Sequence, residues 1–365
     1  MSGAIDIARL RILEIGGSYF KMQYPEQTTM LWSGTKLPEN GEQMDGFSTP
    51  DRVLRELRAA AEGKYDVIIA NTLRYSPWHP RYWARAPFYT PLSPWASISR
   101  QFGVGTLRWA KVPVPLVAID MDDAFGIGPS TVFLLDKAKR FFKRELPVDH
   151  WQILYGSVHP HLPTSRYRHS KKWLARMDKL RPISLPMWRF DERWRTAGFP
   201  EKTHDIFFSG AVFGNSTVRA AGLREMERLK ALGYRIDQPT ERLPYDKFLE
   251  RMSHSWLAWS PEGMGWDCYR HYESGLVQAV PVMNHPTIFR HAPLLDGVHG
   301  VYYDVEEGGL ARAVVAALAD KDRLRRMALA ARDHVFAQHT RKAYCDHILR
   351  SALEPGYGDQ PDLAR

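Results

Sequence analysis

Between Trp256 and Val282 the chain reads WLAWSPEGMGWDCYRHYESGLVQAVPV, and that stretch admits few folds. Trp256 to Trp259 is a short apolar run, the length of a buried strand rather than of a helix. Ser260 to Gly265 follows, broken by Pro261, Gly263 and Gly265, which punctuate a loop. Tyr269, Tyr272, Leu276 and Val277 then recur at three- and four-residue spacings, the period of one helix face. Ala279 to Met283 returns as a second apolar strand. Strand, Gly-rich loop, helix, strand is the crossover unit of a parallel sheet, so the chain reads as an α/β protein.

The loop and helix start carry groups that fit a ligand. Gly263 and Gly265 let a ligand approach the backbone closely. The free N–H groups of a helix N-terminus favour an anion. Arg270 and Glu273 lie three apart and share one helix face. An arginine grips a phosphate by a fork of donors. A carboxylate beside it accepts bonds from two adjacent sugar hydroxyls. Phosphate plus ribose is a nucleotide, and Glu262 and Tyr269 complete the candidate set around this loop. The same arginine and glutamate also fit an ordinary solvated helix pair, which contributes only a few tenths of a kcal/mol.

The pattern G-x-G-x-D-x-Y-R-x-Y-E over Gly263 to Glu273, then six residues, then Val280-Pro281-Val282, resembles the donor half of GT-B glycosyltransferases. It looks most like the exostosin-like group, whose signature joins an R-x-x-E helix to a V-P-V strand. The likeness is sharpest between Trp256 and Val282 and extends over Asp205 to Leu318; the N-terminal half matches only in architecture. The resemblance implies two Rossmann-like domains facing a cleft. It also implies a nucleotide-sugar donor in the C-terminal domain and a glycan or glycolipid acceptor in the N-terminal one. Transfer with inversion needs no cofactor or metal where arginines and helix N-termini offset the charge of the leaving diphosphate.

Composition narrows the alternatives. A chain of 365 residues is long enough for two domains. Twelve tryptophans and sixteen tyrosines are many; such rings stack on sugars, although packing accounts for most aromatic residues. The net charge of +9 suits an anionic donor, an anionic membrane surface or nucleic acid. The charge is scattered and no nucleic-acid motif is present, so nucleic acid is not expected. Two cysteines, Cys268 and Cys345, make neither a disulfide framework nor a metal set. The start, MSGAIDIARLRILEI, lacks the apolar core of a signal peptide, and no window of 18 apolar residues occurs. The expectation is a cytoplasmic protein, with peripheral contact to the membrane as an option.

In the first half, Arg11 to Ile15 followed by Gly16-Gly17 reads as a first strand and turn, without a dinucleotide fingerprint. Pro50-Asp51 opens a helix that Gly63 stops. Tyr65 to Ala70 and Val114 to Ile119 are buried strands. Tyr75 to Ser99, interrupted by five prolines, reads as a long acceptor-side loop. Asp120-Met121-Asp122-Asp123 ends the later strand. Functional groups collect at the carboxyl ends of strands, so Asp123 or Asp122 is the candidate base that deprotonates the acceptor. A metal site or a helix cap are the other readings of that cluster. His159 and His161 are the second-choice bases. Lys139 to Glu145 reads either as a phosphate or headgroup contact or as an exposed strand edge kept soluble by charge.

The domains are expected at 1–190 and 200–330, with 331–353 crossing back to the first. His204 to Gly210 is the first strand of the second domain. Thr217 to Leu232 is its first helix, stopped by Gly233. The loop between them, with Gly210-Ala211 and Gly214-Asn215, is phosphate-sized, and Arg219 and Arg224 lie just behind it. Those arginines fit a solvated helix face equally well. The reading is a metal-independent glycosyltransferase. The alternatives are a nucleotide-sugar epimerase or hydrolase of the same fold, and a non-catalytic basic membrane-surface or nucleic-acid-binding protein.

Overall fold

A computed structural model describes residues 5–33, 44–72, 102–155, 170–187, 191–211 and 216–358. The predicted acceptor-side loop Tyr75 to Ser99, the pair His159 and His161, and Gly214-Asn215 lie outside the described residues. Two compact units form. Among the described residues, the first runs to Tyr155, resumes from Ser170 to Ile183 and takes in the chain from Cys345 onward; the second runs from Ser184 to Tyr344.

The first unit is built on a seven-stranded sheet, ordered β3-β2-β1-β4-β5-β6-β7. Its strands are β1 Ile12–Ile15, β2 Thr28–Trp32, β3 Gly46–Phe47, β4 Val67–Asn71, β5 Leu116–Asp120, β6 Arg140–Lys143 and β7 Leu180–Pro182. Every pairing is parallel. Strands covered on both faces must be apolar nearly throughout, and β1, β4 and β5 are buried along their whole length. Helix α1, Tyr19–Gln23, follows β1; helix α2, Pro50–Ala61, has proline in its first turn and buries Val53, Leu57 and Ala60.

The turn after β1 is closed by the chain itself. The buried Glu14 carboxylate accepts from the backbone N–H groups of Tyr19, Phe20 and Lys21 at 2.8–3.0 Å, and from Asn71 Nδ2 at 3.3 Å. Burial pushes this carboxyl up to about 7, against the pull of those donors. The donors that elsewhere greet an external anion at a first βα turn are therefore already used.

The Lys139 to Glu145 run is not an exposed strand edge. It forms β6, hydrogen-bonded between β5 and β7. Phe141, Phe142, Lys143 and Glu145 are fully buried, and Arg144 nearly so. Lys143 Nζ lies 3.4 Å from Asp120, and Arg144 pairs with Asp123. The acidic cluster at the end of β5 neutralises the basic end of β6, so charge that looks solvated in sequence is internal.

The second unit holds a five-stranded sheet, ordered β12-β11-β10-β8-β9, also parallel throughout. The strands are β8 His204–Phe207, β9 Ile236–Asp237, β10 Ser255–Trp259, β11 Val280–Asn284 and β12 Val301–Tyr303. Between and after them come α3 Thr217–Ala231, α4 Tyr245–Ser253, α5 Tyr269–Leu276, α6 Gly309–Leu318 and α7 Lys321–Gln338. Ile206, Leu257 and Val280 sit side by side across the sheet centre. Trp259 packs on Phe208 with ring centroids 4.4 Å apart and donates its indole N–H to Tyr303 at 3.0 Å. Gly222 of α3 faces that indole: a Cβ there would stand 2.1 Å from it.

The segment from Ser184 packs with the second unit. Ser184 donates to the His291 carbonyl, the Leu185 N–H donates to Asp267 Oδ2, and Met187 bridges to Thr340. Helix α8, Arg341–Leu353, spans the division, and only from Cys345 does it belong to the first unit. There Asp346 accepts from the Tyr24 hydroxyl, and Arg140 Nε donates to the Ser351 carbonyl.

Candidate functional site

The strand order of the second unit reverses between β8 and β10, because β8 leads on to β9 on one side and β10 to β11 on the other. In open α/β sheets, ligands bind outside the carboxyl ends of the strands at such a switch point. The residues just past those two strand ends are Phe208 to Ala211 and Ser260 to Gly265.

Two arginines converge there. Arg219 stands in the first turn of α3, where Ser216 caps the helix by accepting from the Arg219 N–H at 3.2 Å. Its side chain crosses to the other loop, Nε donating to the Glu262 carbonyl at 3.0 Å and Nη1 to the Ala211 carbonyl at 2.8 Å. Arg270, in the first turn of α5, donates from Nη2 to the Ser209 carbonyl and lies over the Phe208 ring, 5.3 Å from its centre. Its Nε and Nη1 are buried without any hydrogen-bond partner. Burial, and then the nearby Arg270 charge, pull the Arg219 guanidinium below its ordinary value. Neither arginine has an ion-pair partner among the described residues. Buried donors without partners are rare, and two adjacent cations without a carboxylate between them form a site short of an anion.

The glycines make room for this. A Cβ on Gly210 would stand 2.5 Å from Arg270 Nη2, and one on Gly263 would stand 2.8 Å from Arg219 Nη2. Glu262 holds the loop: its N–H donates to Asn284 Oδ1 at 2.9 Å, and Asn284 Nδ2 donates to its carboxylate at 3.1 Å. The Gly265 carbonyl accepts from the Gly263 N–H at 2.9 Å. Tyr269 opens α5 and is half-buried.

Glu273 lies one turn along α5 from Arg270, yet the two form no ion pair. Burial pushes its carboxyl up to about 7, with Arg270 and a hydrogen bond from Tyr245 pulling the other way. The solvated-pair reading of Arg270 and Glu273 does not describe this geometry. Arg224 is placed elsewhere: it is exposed, and Nη1 turns back to the Ala220 carbonyl of its own helix at 3.3 Å.

Sequence reasoning missed Tyr245, Asn284 and the Ser209 carbonyl as partners. No local pattern marks them, because each comes from a different element brought to the same sheet end.

In the first unit, Asp120 is buried against Lys143, and its Oδ1 accepts from the Asp122 N–H at 2.9 Å. Asp122 accepts from the Asp123 N–H at 2.9 Å, and Arg144 takes one oxygen of Asp123. The three carboxylates build a turn, and no helix begins behind them before Leu134. Among the described residues, no group of three or more His, Cys, Asp or Glu side chains is placed to hold a metal ion. None of the described helices is long and apolar enough to cross a membrane.

No protein-family profile and no curated protein sequence matches the chain. Its fold does have relatives. Two parallel sheets, each flanked by helices, make the architecture of GT-B glycosyltransferases, with two Rossmann-like domains. The chain is similar to a glycosyltransferase from Rickettsia africae at 11% identity, with 95% of this chain and 99% of that one covered and a TM-score of 0.52. It is similar to sucrose-phosphate synthase from Thermosynechococcus elongatus at 11% identity, covering 94% and 97%, with a TM-score of 0.50. It is similar to Anabaena HepE in complex with UDP at 13% identity, covering 94% and 99%, with a TM-score of 0.51.

Proposed function

We propose that the protein is a nucleotide-sugar-dependent glycosyltransferase, with its donor held at the switch point of the second sheet. The observation that carries this is the pair of guanidinium groups, Arg219 and Arg270, which have no carboxylate partner among the described residues, with two buried N–H groups of Arg270 unused. A diphosphate supplies what they lack. Its oxygens accept the open Arg270 donors and place negative charge between two cations that otherwise repel. Glu273, held by Tyr245 and one helical turn along, accepts the ribose hydroxyls in its ionised form. The UDP carried by the HepE structure makes uracil the first base to try.

The same cations favour the reaction. Charge builds on the diphosphate as the glycosidic bond breaks, and fixed donors aimed at it stabilise that state without reorganising. On this reading the arginine pair does the work that a divalent ion does in metal-dependent transferases. The acceptor is a hydroxyl of a glycan or glycolipid, and transfer proceeds with inversion, as the resemblance to the exostosin-like group implies. Asp122 or Asp123 takes the acceptor proton. Peripheral contact with an anionic membrane and a cytoplasmic location belong to the same proposal.

A thermal-shift panel of nucleoside diphosphates, monophosphates and nucleosides tests the donor reading. UDP should raise the melting temperature clearly, UMP less, and uridine hardly at all. Equal shifts for UDP and uridine, or none for any diphosphate, would overturn it.

A further inference from the structure

Cys268 caps α5 directly before Tyr269 and Arg270. It is a free cysteine that is partly exposed as a residue, its sulfur turned inward toward Ser260 and His271, whereas Cys345 is fully buried. Its Sγ lies 3.6 Å from Ser260 Oγ and 3.6–3.7 Å from both ring nitrogens of His271. Ser260 and His271 are both buried. His271 Nε2 sits 2.8 Å from the Trp266 carbonyl, an acceptor only, so Nε2 carries a proton. Nδ1 sits 2.7 Å from Ser260 Oγ.

These distances link the thiol to the imidazole through Ser260, so the thiol proton has a path to His271. With the imidazole doubly protonated, Nδ1–H donates to Ser260 Oγ, and the serine hydroxyl is then free to donate to a sulfur anion. The neutral relay, thiol to Ser260 Oγ and serine to Nδ1, uses the same contacts, and the charges around the sulfur decide between the two. The Pro261 carbonyl, 4.0 Å from the sulfur, offers the thiol proton only a long contact. The wider field agrees. Arg270 on the same helix and Arg219 on α3 present positive charge to the sulfur, against Glu273 on α5, Glu262 in the loop and Asp267 beside His271. Burial alone would push the thiol up, but His271, Arg270 and Ser260 bring it down to about 6. Low-lying thiols next to cations are the reactive ones where a reagent can reach them.

We propose that Cys268 is a modification site: a thiolate that captures low-molecular-weight disulfides and small electrophiles, and whose capture closes the donor site. In the disulfide reaction the sulfur anion attacks one sulfur of, for example, oxidised glutathione. A new S–S bond forms, the old one breaks, and the departing thiolate keeps the electron pair and takes a proton from solvent. The added group then sits among Arg219, Arg270 and Glu273. This second part rests on the donor-site reading; the thiol chemistry does not.

The test is iodoacetamide labelling of the folded native protein from pH 5 to 9, with each cysteine followed by peptide mass spectrometry. Cys345 should stay unlabelled. The Cys268 rate should turn over near pH 6 and be flat above about pH 7. In His271→Gln the turnover should move up by more than about one pH unit. Labelling only after denaturation, or a rate that climbs to about pH 8.5 like an ordinary thiol, overturns the proposal. For the closing step, protein carrying one glutathionyl group should bind UDP at least about tenfold more weakly. Cys268→Ala should bind UDP as the native chain does and be indifferent to the disulfide. Unchanged UDP affinity in the modified native protein removes the closing step. If unmodified native protein does not bind UDP, the donor-site reading has failed, and the pH profile alone decides the thiol.

Discussion

Replacing Arg270 with alanine should weaken UDP binding strongly while leaving the empty protein almost as stable as before. Two of its donors, Nε and Nη1, are free for ligand. Hydrogen bonds to charged groups contribute about 1.5–3 kcal/mol each. Two of them would give roughly 3–6 kcal/mol, and relief of the Arg219–Arg270 repulsion returns part of that. A loss of about 3 kcal/mol is more than a hundredfold in affinity. Stability follows a different balance. Removing one partner of a buried ion pair costs about 3–5 kcal/mol because the other charge is stranded. Arg270 strands no ion-pair partner among the described residues: its bond to the Ser209 carbonyl, its contact with Phe208 and its pull on Glu273 are lost, and two unsatisfied buried donors disappear with it. These terms nearly cancel, so the ligand-free melting temperature should move by no more than about 2–4 °C. Calorimetric titration with UDP and a melting curve without it measure both halves. Unchanged affinity would remove Arg270 from the site. A collapse in ligand-free stability would show that it is a structural residue instead.

Other outcomes follow from the same contacts. Glu273→Gln should weaken UDP more than its 2′,3′-dideoxy analogue, and equal losses would make the carboxylate structural. Because the native carboxyl is held at about 7, native affinity should gain an additional rise as pH passes through 7 that the variant lacks; parallel profiles would contradict its part in binding. Gly222→Ala places a Cβ 2.1 Å from the Trp259 indole. Overpacking costs about 1–3 kcal/mol and better helix propensity returns about 1, so its melting temperature should fall; a rise would mean the indole moves freely. Glu14 has a folded value of about 7, raised above the usual carboxyl range. Its stabilisation is complete below pH ~4 and is lost as pH rises through 7, by an amount on the order of 3 kcal/mol. Glu14→Gln should flatten the stability slope between pH 5 and 8, and an unchanged slope would remove Glu14 as its source. Either Asp122→Asn or Asp123→Asn should cut turnover roughly a hundredfold or more with donor affinity kept; normal turnover in both leaves the cluster as the turn and ion-pair anchor its bonds describe.

The crossover unit was legible because a parallel strand covered on both faces must be apolar along its length, and Leu257 to Trp259 and Val280 to Met283 are. The spacing of Arg270 and Glu273 placed them on one face but did not show that they avoid each other, since that depends on Ser209 and Tyr245 from elsewhere in the chain. Arg219 and Arg224 looked equivalent. Five residues on a helix are well short of a whole number of turns, and the Ser216 cap puts only Arg219 at the loop. Lys139 to Glu145 misled because charge normally marks solvent; the strand order that buries it between β5 and β7 is a long-range property. Cys268 carried no signal, because counting cysteines asks about disulfides and metals and not about a histidine three residues along a helix.

The most direct measurement is a crystal structure of the protein with UDP. Diphosphate oxygens should lie within hydrogen-bonding distance of Arg270 Nε and Nη1 and beside the Arg219 guanidinium, with the ribose hydroxyls on Glu273. UDP bound at another place, or bound here with those two Arg270 donors still unpaired, would contradict it.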